Sequence, residues 1–429
     1  MDEFKKHLLS YLDEKSINNL VDSFSMASKH AALLNPNKMS DELFLSLYPN
    51  VTKHPLVPHA YIYDKNEYEL GKTIYHELGC FYLQEPSAMT VAYLLHPNPN
   101  EIVLDLCAAP GGKTIQSSIL MENKGVIISN DLSKERTKAL EDNVTRLGLG
   151  NVIITNNNFE YIYTNFLSYF DKIILDAPCS GSGMFRKDDK MIEDWSLNKV
   201  IKNSMIQMSL IDICYQMLKP GGTMVYSTCS YSYEEDEAVI KHLLDNSDAK
   251  LVDLPNNELL YKGKDNLGIH LFPHLFPGEG HYICLISKPG KSDLTDTKEA
   301  NSYRKLLPTE LSDFHINNFN NVLYGLNKNI KYKGINIVRY GLKIGELFKD
   351  KIVYDYHLAR YLTDYSNKID LSMDEVSSYL LGNELTKINN FKDNVLLTYQ
   401  NIPLDFSKTN GVKLKNHYPK YLRKKVTLK

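Results

Sequence analysis

Two cysteines in this chain each follow a short apolar run and precede a serine. Cys179 lies in Asp176-Ala-Pro-Cys-Ser-Gly-Ser-Gly183, and Cys229 lies in Tyr226-Ser-Thr-Cys-Ser-Tyr231. Such apolar runs are typical of buried strands, so both thiols are expected at strand ends. Because a thiolate is a strong nucleophile, the pair predicts covalent chemistry. The alternative is that both cysteines are buried core residues, the commonest position of a free cysteine.

A third segment, Leu104-Asp-Leu-Cys-Ala-Ala-Pro-Gly-Gly-Lys-Thr114, indicates a strand, a glycine turn and a helix start. An ATP-binding P-loop would need a glycine five residues before Gly112, where Cys107 stands. A dinucleotide fingerprint would need three spaced glycines, and only Gly111 and Gly112 are present. The strand end, the glycine pair and Asp131 after the next strand instead favour an adenosine-type cofactor whose ribose binds a carboxylate. A tight turn of small residues without a ligand is the alternative.

Length and composition limit the protein class. A chain of 429 residues predicts two to four domains, and 43% hydrophobic with 24% charged residues is ordinary for a soluble globular protein. The N-terminal residues lack the apolar core of a secretory signal. Six scattered cysteines without a Cys-x-x-Cys pair favour free thiols in a cytoplasmic protein over disulfides or a zinc site, so no metal is expected.

Charge is unevenly distributed along the chain. The net charge of −3 argues against indiscriminate coating of nucleic acid, which requires a wide excess of cations. The segment 411–429 nevertheless has seven cations, no acid and interleaved aromatic residues, which favours RNA contact over a solubilising tail. Its cations are Lys413, Lys415, Lys420, Arg423, Lys424, Lys425 and Lys429.

The elements that must position these residues alternate between strands and helices in the middle of the chain, which predicts an α/β fold with a parallel sheet. Residues 1 to about 50 have apolar residues at helical spacing, and 288–298 form a polar linker. A hairpin-like pair follows the last parallel strand, and its His274 and His281 are expected to be structural groups. The predicted strands are 102–106, 126–130, 152–155, 172–176 and 223–227, with helices from 113, from 133 and over 205–218.

Together the three segments resemble the RNA cytosine-5 methyltransferases, the Nol1/Nop2/Fmu or NSUN-like superfamily. The resemblance covers residues 75–287 and implies a Rossmann-like, S-adenosylmethionine-dependent methyltransferase domain. It also implies that Asp131 binds the cofactor ribose and that Asp176 lies near both the methyl donor and the target base. Asn158 stands where the family usually has an aspartate beside the adenine, and its amide can still form hydrogen bonds there. The residues that would surround the cofactor are Cys107, Ala108, Ala109, Pro110, Gly111, Gly112 and Lys113.

The resemblance assigns different roles to the two thiols. Cys229, in the Thr-Cys-Ser motif, would attack carbon 6 of cytosine and form a covalent adduct. Cys179, in the Pro-Cys-Ser motif, would assist release of the product. DNA cytosine methyltransferases use the Pro-Cys position for attack, which is the main rival assignment. A cytidine would have to leave any base stack to reach these groups.

The last segment, Asn410-Gly-Val-Lys-Leu-Lys-Asn-His-Tyr-Pro-Lys-Tyr-Leu-Arg423, resembles bacterial RsmF-like enzymes. These append a PUA-like RNA-binding domain and form 5-methylcytidine in 16S ribosomal RNA, so rRNA or the 30S subunit is the expected partner. The alternatives are a transfer RNA cytosine-5 methyltransferase and an RNA chaperone without catalysis. The predicted division is an N-terminal RNA-binding region 1–95, the methyltransferase domain 96–290, an intermediate domain 291–375 and the PUA-like domain 376–429.

Overall fold

The N-terminal region combines helices with a small antiparallel sheet. The computed structural model describes residues 1–188, 190–292, 307–330, 332–349 and 351–427. Four strands pair in the order β2-β3-β1-β4, and β1 is buried along four of its five residues. The elements are α1 (Asp2–Leu8), α2 (Glu14–Ser23), β1 (His30–Leu34), α3 (Asp41–Leu47), β2 (Thr52–Lys53), β3 (Ala60–Tyr63), α4 (Ile74–Glu77) and β4 (Phe81–Gln84).

The middle of the chain is a doubly wound α/β unit. Its parallel strands adjoin in the order β9-β8-β5-β6-β7, and helices cover both faces. Because both faces are covered, these strands are rich in apolar residues, and every residue of β6 is buried. The elements are α5 (Pro86–Leu95), β5 (Ile102–Asp105), α6 (Gly112–Leu120), β6 (Val126–Asn130), α7 (Lys134–Leu147), β7 (Val152–Thr155), α8 (Phe159–Asn165), β8 (Phe170–Asp176), α9 (Lys190–Glu193), α10 (Leu197–Met217), β9 (Leu218–Thr228) and α11 (Glu237–Asn246).

Antiparallel strands extend the central sheet beyond β9. The longest of them pairs with β9 over six residues, from Tyr282 opposite Thr228 to Ser287 opposite Thr223. This pairing covers β9, the strand that leads to Cys229. The predicted hairpin-like pair is confirmed by the pairing of Ile269 and His270 with Ile283 and Tyr282. The added strands are β10 (Lys250–Leu251), β11 (Tyr261–Lys262), β12 (Ile269–His270) and β13 (Tyr282–Ser287).

The C-terminal part contains two further sheets and one strand that joins the central sheet. One sheet has the order β14-β15-β17-β18, the other β19-β21-β22-β23-β20, and β16 pairs antiparallel with β7. The elements are β14 (His315–Phe319), β15 (Val322–Leu326), β16 (Ile337–Tyr340), β17 (Leu342–Phe348), β18 (Lys351–Tyr354), α12 (Tyr356–Tyr361), β19 (Lys368–Asp370), α13 (Met373–Leu380), β20 (Leu385–Thr386), β21 (Asp393–Tyr399), β22 (Ile402–Thr409) and β23 (Lys413–Leu414).

The C-terminal part packs directly against both other parts of the chain. Gly148 ends α7 in the left-handed region at φ +73°, and a Cβ there would lie 2.1 Å from the carbonyl oxygen of Arg360 in α12. Thr427 forms a parallel bridge with Thr73, next to α4. The C-terminal sheets are therefore docked on the N-terminal region as well as on the methyltransferase-like core.

The predicted alternation of strands and helices is confirmed, with three differences. Helix α10 begins at Leu197, eight residues before the predicted start at 205, because Ser196 caps it by accepting a hydrogen bond from the Lys199 amide. The N-terminal region contains a sheet as well as the expected helices, since the buried strand β1 lacks an alternating pattern. The boundary predicted at 376 falls within α13, and the domain division stays a prediction. Most of the predicted linker, 293–298, lies outside the described residues. Over the described ranges, no helix combines the length and apolarity needed to cross a bilayer.

Candidate active site

The ends of the neighbouring strands β8 and β9 bring the two cysteines together. The strands are parallel, with Asp176 opposite Ser227, so their carboxyl ends lie at the same sheet edge. Cys229 follows β9 directly and Cys179 lies three residues beyond β8, and their Sγ atoms are 3.0 Å apart. Both side chains are half-buried, which leaves them open to a substrate. The other four cysteines include three that are fully buried, at 80, 214 and 284.

Cys179 is held as a protonated thiol. Its hydrogen bond with Cys229 raises its pKa, and burial and the nearby Glu235 carboxylate raise it further. A thiol with a raised pKa is a poor nucleophile at neutral pH, but its sulfur can exchange a proton with a neighbouring group. The arrangement therefore suits a proton-handling role for Cys179.

The Asp176 carboxylate lies at the centre of the site. It accepts hydrogen bonds from Lys113 Nζ at 2.5 Å and Ser227 Oγ at 2.7 Å, and His281 Nε2 lies 3.6 Å away. Burial alone would raise the pKa of Asp176, but the charge of Lys113 and the hydrogen bond and charge of His281 lower it well below its usual range. Asp176 is thus an anion that can accept hydrogen bonds from a nucleobase.

Lys113 comes from the glycine turn and connects it to the thiol site. It lies in the first turn of α6. Burial would lower the pKa of Lys113, but Asp176 raises it above its usual value, with a further contribution from the charge on Cys229. Lys113 thus joins the glycine turn to the carboxylate at the end of β8.

The glycine turn presents its backbone at the carboxyl end of β5. Gly111 has φ +116°, and a Cβ there would lie 2.7 Å from Leu140 Cδ1. At Gly112 a Cβ would lie 2.6 Å from Gln84 Nε2, so a side chain there would have to displace the end of Gln84. The Ala108 amide donates to Asn130 O, and Pro110 O accepts from Asn143 Nδ2. The loop is thus fixed at both sides, while Cys107 at its start stays half-buried.

Asp131 is the acid at the end of β6. It is 4% exposed and accepts hydrogen bonds from the amides of Ala109 and Ser133 at 3.1 and 2.9 Å. Arg136 lies 3.6 Å from the same carboxylate. Asp131 therefore lies directly against the glycine turn, as a ribose-binding acid would.

A cavity of about 480 Å³ opens beside Asn158. Asn158 precedes α8 with an extended backbone, and its side chain forms no capping hydrogen bond, so its amide is available to a ligand. Leu132 and Met205 are 52% and 66% exposed, an unusual state for large apolar side chains. An apolar wall with one amide at its edge is the environment that a purine ring requires. The lining residues are Leu132, Asn158, Phe159, Glu160, Met205, Ile206, Ser209, Leu210 and Ile213.

Two residues join the site without having been predicted for it. His281, expected to be structural, is 8% exposed and faces Asp176, and its Nδ1 lies 3.4 Å from Ser87 Oγ. Glu235 lies beneath the two cysteine loops and binds Ser180 and Ser230. Neither position has a sequence signal of its own. His281 contacts Ser87, which is 194 residues away along the chain, and Glu235 binds Ser180 and Ser230, which are 55 and 5 residues away.

Only some of the side chains in the basic C-terminal segment are exposed. Tyr418 is buried, and its hydroxyl donates to Glu77 of α4. Lys424 Nζ lies 2.6 Å from the same carboxylate, so this cation supports the docking of the domains. Exposed side chains that remain available for RNA are Lys413, Lys415, Lys420, Tyr421 and Lys425.

Three family profiles match most of the chain. The profile described as 16S rRNA methyltransferase RsmB/F matches residues 92–287. The N-terminal domain of 16S rRNA methyltransferase RsmF matches residues 1–86, and the methyltransferase RsmF PUA domain matches residues 366–424.

Full-length relatives and solved structures agree with these matches. Ribosomal RNA small subunit methyltransferase F of Vibrio vulnificus (strain YJ016) is 30% identical over 394 residues, which cover 84% of this chain and 82% of the relative. The protein of the same name from Shewanella woodyi is 31% identical, with 83% and 81% covered. A methyltransferase homologue from Pyrococcus horikoshii superposes with a TM-score of 0.57 at 30% identity, over 66% of this chain and 93% of that one. NSun6 from the same organism, solved with SFG, has a TM-score of 0.61 at 22% identity, over 68% and 99%, and shows the shared fold.

Proposed function

The chain belongs to the RsmF-type family of 16S ribosomal RNA methyltransferases, and on that premise we propose that it forms 5-methylcytidine in small-subunit rRNA through a covalent cysteine adduct. The observation that carries the mechanism is the 3.0 Å separation of the Cys179 and Cys229 sulfurs beside the Lys113–Asp176 ion pair. A methyltransferase that acts on a stronger nucleophile would need neither thiol.

S-adenosylmethionine fits the residues at the carboxyl ends of β5, β6 and β7. The backbone of 107–113 would enclose its central part, Asp131 would bind the ribose, and Asn158 with the apolar cavity beside it would hold the adenine. When bound, the cofactor supplies a methyl group activated by a positively charged sulfonium. Asp176 lies between this loop and the thiols, bound to Lys113, so it would face both the donor and the target base.

Cys229 would begin the reaction by adding its thiolate to carbon 6 of cytosine. This forms the sulfur–carbon bond and moves electron density to carbon 5, which is otherwise a poor nucleophile. Asp176 is ionised, so it would accept a hydrogen bond from the amino group of cytosine, and a proton at N3 would have to come from solvent.

Cys179 would act in the second half of the reaction. Once carbon 5 has gained its methyl group, it still holds a hydrogen that must leave as a proton. Removal of that proton restores the double bond between carbons 5 and 6 and expels Cys229 as a thiolate. Cys179 lies next to the attacking sulfur, where it can take up this proton after giving its own thiol proton to solvent.

The flanking regions would supply the RNA specificity. We propose that 1–95 and 376–429 act as one RNA-binding unit, since Lys424 and Tyr418 bind Glu77 of the N-terminal region. The exposed cations of the C-terminal segment lie on this unit. A rigid pair of flanking domains would present a single-stranded or splayed cytidine to the thiols.

Labelled methyl transfer from S-adenosylmethionine tests the proposal. The substrates are naked 16S rRNA, 30S subunits and total transfer RNA, compared for wild type, Cys229→Ala and Cys179→Ala. The buried Cys214→Ala is the matched control, since Cys214 lies on the buried face of α10, in the core cluster. We expect no transfer by Cys229→Ala and a protein–RNA adduct that survives denaturing gels for Cys179→Ala. Full transfer by Cys229→Ala would contradict the nucleophile assignment, and labelling of transfer RNA alone would favour the alternative substrate.

A further inference from the structure

A single buried carboxylate lies between the loops that hold the two cysteines. Glu235 is 0% exposed. Its Oε1 accepts from the Ser180 amide at 2.7 Å and from Gln207 Nε2 at 3.2 Å. Its Oε2 accepts from the hydroxyls of Ser180 and Ser230 at 2.5 and 2.6 Å. Both oxygens are thus bound to groups on different parts of the chain.

The two serines that Glu235 binds each follow a cysteine directly. Ser180 is the neighbour of Cys179, and Ser230 is the neighbour of Cys229. Gln207 extends the same network, because its Nε2 also donates to the carbonyl of Pro178 at 2.8 Å. The carboxylate therefore fixes the backbone on both sides of Cys179 and next to Cys229.

Burying a carboxylate is costly unless hydrogen bonds replace its water. Burial raises the pKa of Glu235, and the hydrogen bonds from Ser180 and Ser230 oppose that rise. Neutral donors supply the four hydrogen bonds given above, so the carboxylate is stabilised by geometry rather than by an ion pair. An apolar side chain would fill the space without this desolvation cost, but it could not join the two loops.

We propose that Glu235 is the positioning residue that holds the two thiols over adjacent atoms of one cytosine ring. The inference rests on the proposed function, in which Cys229 attacks carbon 6 and Cys179 acts at carbon 5. Glu235 acts through Ser180 and Ser230 and has no chemical step of its own. Other hydrogen bonds also join the loops, from Gly183 N to Cys229 O, from Tyr231 N to Ser182 Oγ and between the hydroxyls of Ser180 and Ser230. Loss of Glu235 should therefore loosen the thiol pair without separating it completely.

Two substitutions of Glu235 test whether its hydrogen bonds position the cysteine loops. In Glu235→Gln the side-chain carbonyl can still accept from the Ser180 amide, and the new amide can donate to the serine hydroxyls, which also accept. Glu235→Ala removes the connection. Glu237→Ala is the matched control, because Glu237 is 1% exposed and binds His270 Nε2 and the Lys264 amide, away from the cysteine loops.

The first measurement is independent of methyl transfer. Diamide oxidises two adjacent thiols to a disulfide and takes up their two electrons and two protons. We expect rapid formation of a Cys179–Cys229 disulfide in wild type and Glu237→Ala, mapped by peptide mass spectrometry. Glu235→Gln should react within about twofold of wild type and Glu235→Ala about tenfold more slowly, since effective concentration falls steeply with misplacement. Cross-linking of Glu235→Ala at the wild-type rate would overturn the proposal.

The second measurement is steady-state methylation by variants whose folding is verified by circular dichroism. Glu235→Ala should lower kcat about tenfold or more with the KM for S-adenosylmethionine unchanged, and Glu235→Gln should restore most of the loss. If Glu235→Ala fails to fold, the Ser180→Ala and Ser230→Ala double variant takes its place, because it removes both hydroxyl hydrogen bonds to Glu235 and leaves the Ser180 amide bond in place. Full transfer by Cys229→Ala together with slow cross-linking of Glu235→Ala would reject the thiol mechanism but keep the positioning role. An unchanged kcat for Glu235→Ala would reject the positioning role.

Discussion

Lys113 Nζ lies 2.5 Å from Asp176 Oδ2, which joins the cofactor-type glycine turn to the end of the strand that leads to Cys179. The side chains are 14% and 25% exposed, so solvent screens the pair only partly. Lys113 therefore stabilises the carboxylate that would contact the target nucleobase. Cofactor binding and base binding share this ion pair.

Lys113→Ala should shift the acidic limb of the pH–rate profile to higher pH. Lys113 and His281 hold the pKa of Asp176 below its usual value against the effect of burial. Without Lys113, burial raises that pKa, and Asp176 becomes protonated at a higher pH. The measurement is kcat/KM for methyl transfer from pH 5 to 9, and we expect a loss of about 100-fold near neutrality.

The matched control for this change is Lys219→Ala, which removes a half-buried ion pair of 2.7 Å with Asp171 at the opposite end of β8. Its profile should keep the wild-type acidic limb. In wild type the lowered pKa of Asp176 stabilises the folded state at every pH above the ordinary aspartate pKa. This stabilisation is lost as the pH falls towards the pKa of Asp176 in the folded protein. An unshifted limb in Lys113→Ala would show that another group controls the acidic side.

Gly111→Ala should weaken cofactor binding strongly. The residue has φ +116°, and the added Cβ would lie 2.7 Å from Leu140 Cδ1 in a closely packed helix. We expect at least a 30-fold weaker affinity for S-adenosylmethionine by titration calorimetry, and a stability loss of about 1–3 kcal/mol from backbone strain. Gly334→Ala is the control, because Gly334 also has positive φ at +70° but has nothing within 4 Å. Equal affinity losses in the two variants would contradict a local role for Gly111.

The sequence predicted the core of this site because its residues are carried by short motifs. Cys179, Cys229 and Asp176 each lie within three residues of a strand end that has a clear apolar run, so parallel pairing brings them together. His281 and Glu235 escaped prediction because their contacts depend on tertiary structure. The strand β1 was not predicted for a different reason. A strand buried on both faces does not alternate between apolar and polar residues.

The basic C-terminal segment shows that the sequence alone does not predict the role of each cation. Lys424 and Lys425 are adjacent cations, yet Lys424 lies 2.6 Å from buried Glu77. Composition cannot distinguish a cation that joins domains from one that faces RNA, because the partner lies more than three hundred residues away in the chain. The same limit applies to Tyr418, which is 1% exposed although it is flanked by basic residues.

Glu77→Ala should destabilise the docking of the C-terminal part. The carboxylate is 2% exposed and binds Tyr418, Lys424 and, at 3.8 Å, the fully buried Arg360. Its removal leaves the Arg360 charge buried without this partner, at a cost of about 3–5 kcal/mol. Thermal unfolding and limited proteolysis would detect the change, and earlier cleavage of the C-terminal part is expected.

The control for Glu77 is Glu69→Ala, which removes an exposed ion pair with Lys72. Surface pairs of this kind contribute about 0–1 kcal/mol, so its melting temperature should stay close to that of wild type. A melting temperature for Glu77→Ala equal to that of Glu69→Ala would show that the buried pair does not hold the domains together.

The triple variant Lys413→Ala, Lys415→Ala and Lys420→Ala should weaken RNA binding mainly through phosphate contacts. These side chains are exposed on the C-terminal part, and each phosphate contact contributes about 0.7–0.9 to the slope of log affinity against log salt. We expect the slope to fall by about two to three and kcat at saturating RNA to stay near wild type. Binding to 16S rRNA fragments from 50 to 300 mM salt, by filter retention or fluorescence anisotropy, gives the slope. Lys241→Ala, which removes an exposed pair with Asp245 on α11, is the control and should leave the slope unchanged. An unchanged slope in the triple variant would place the RNA-binding cations elsewhere on the protein.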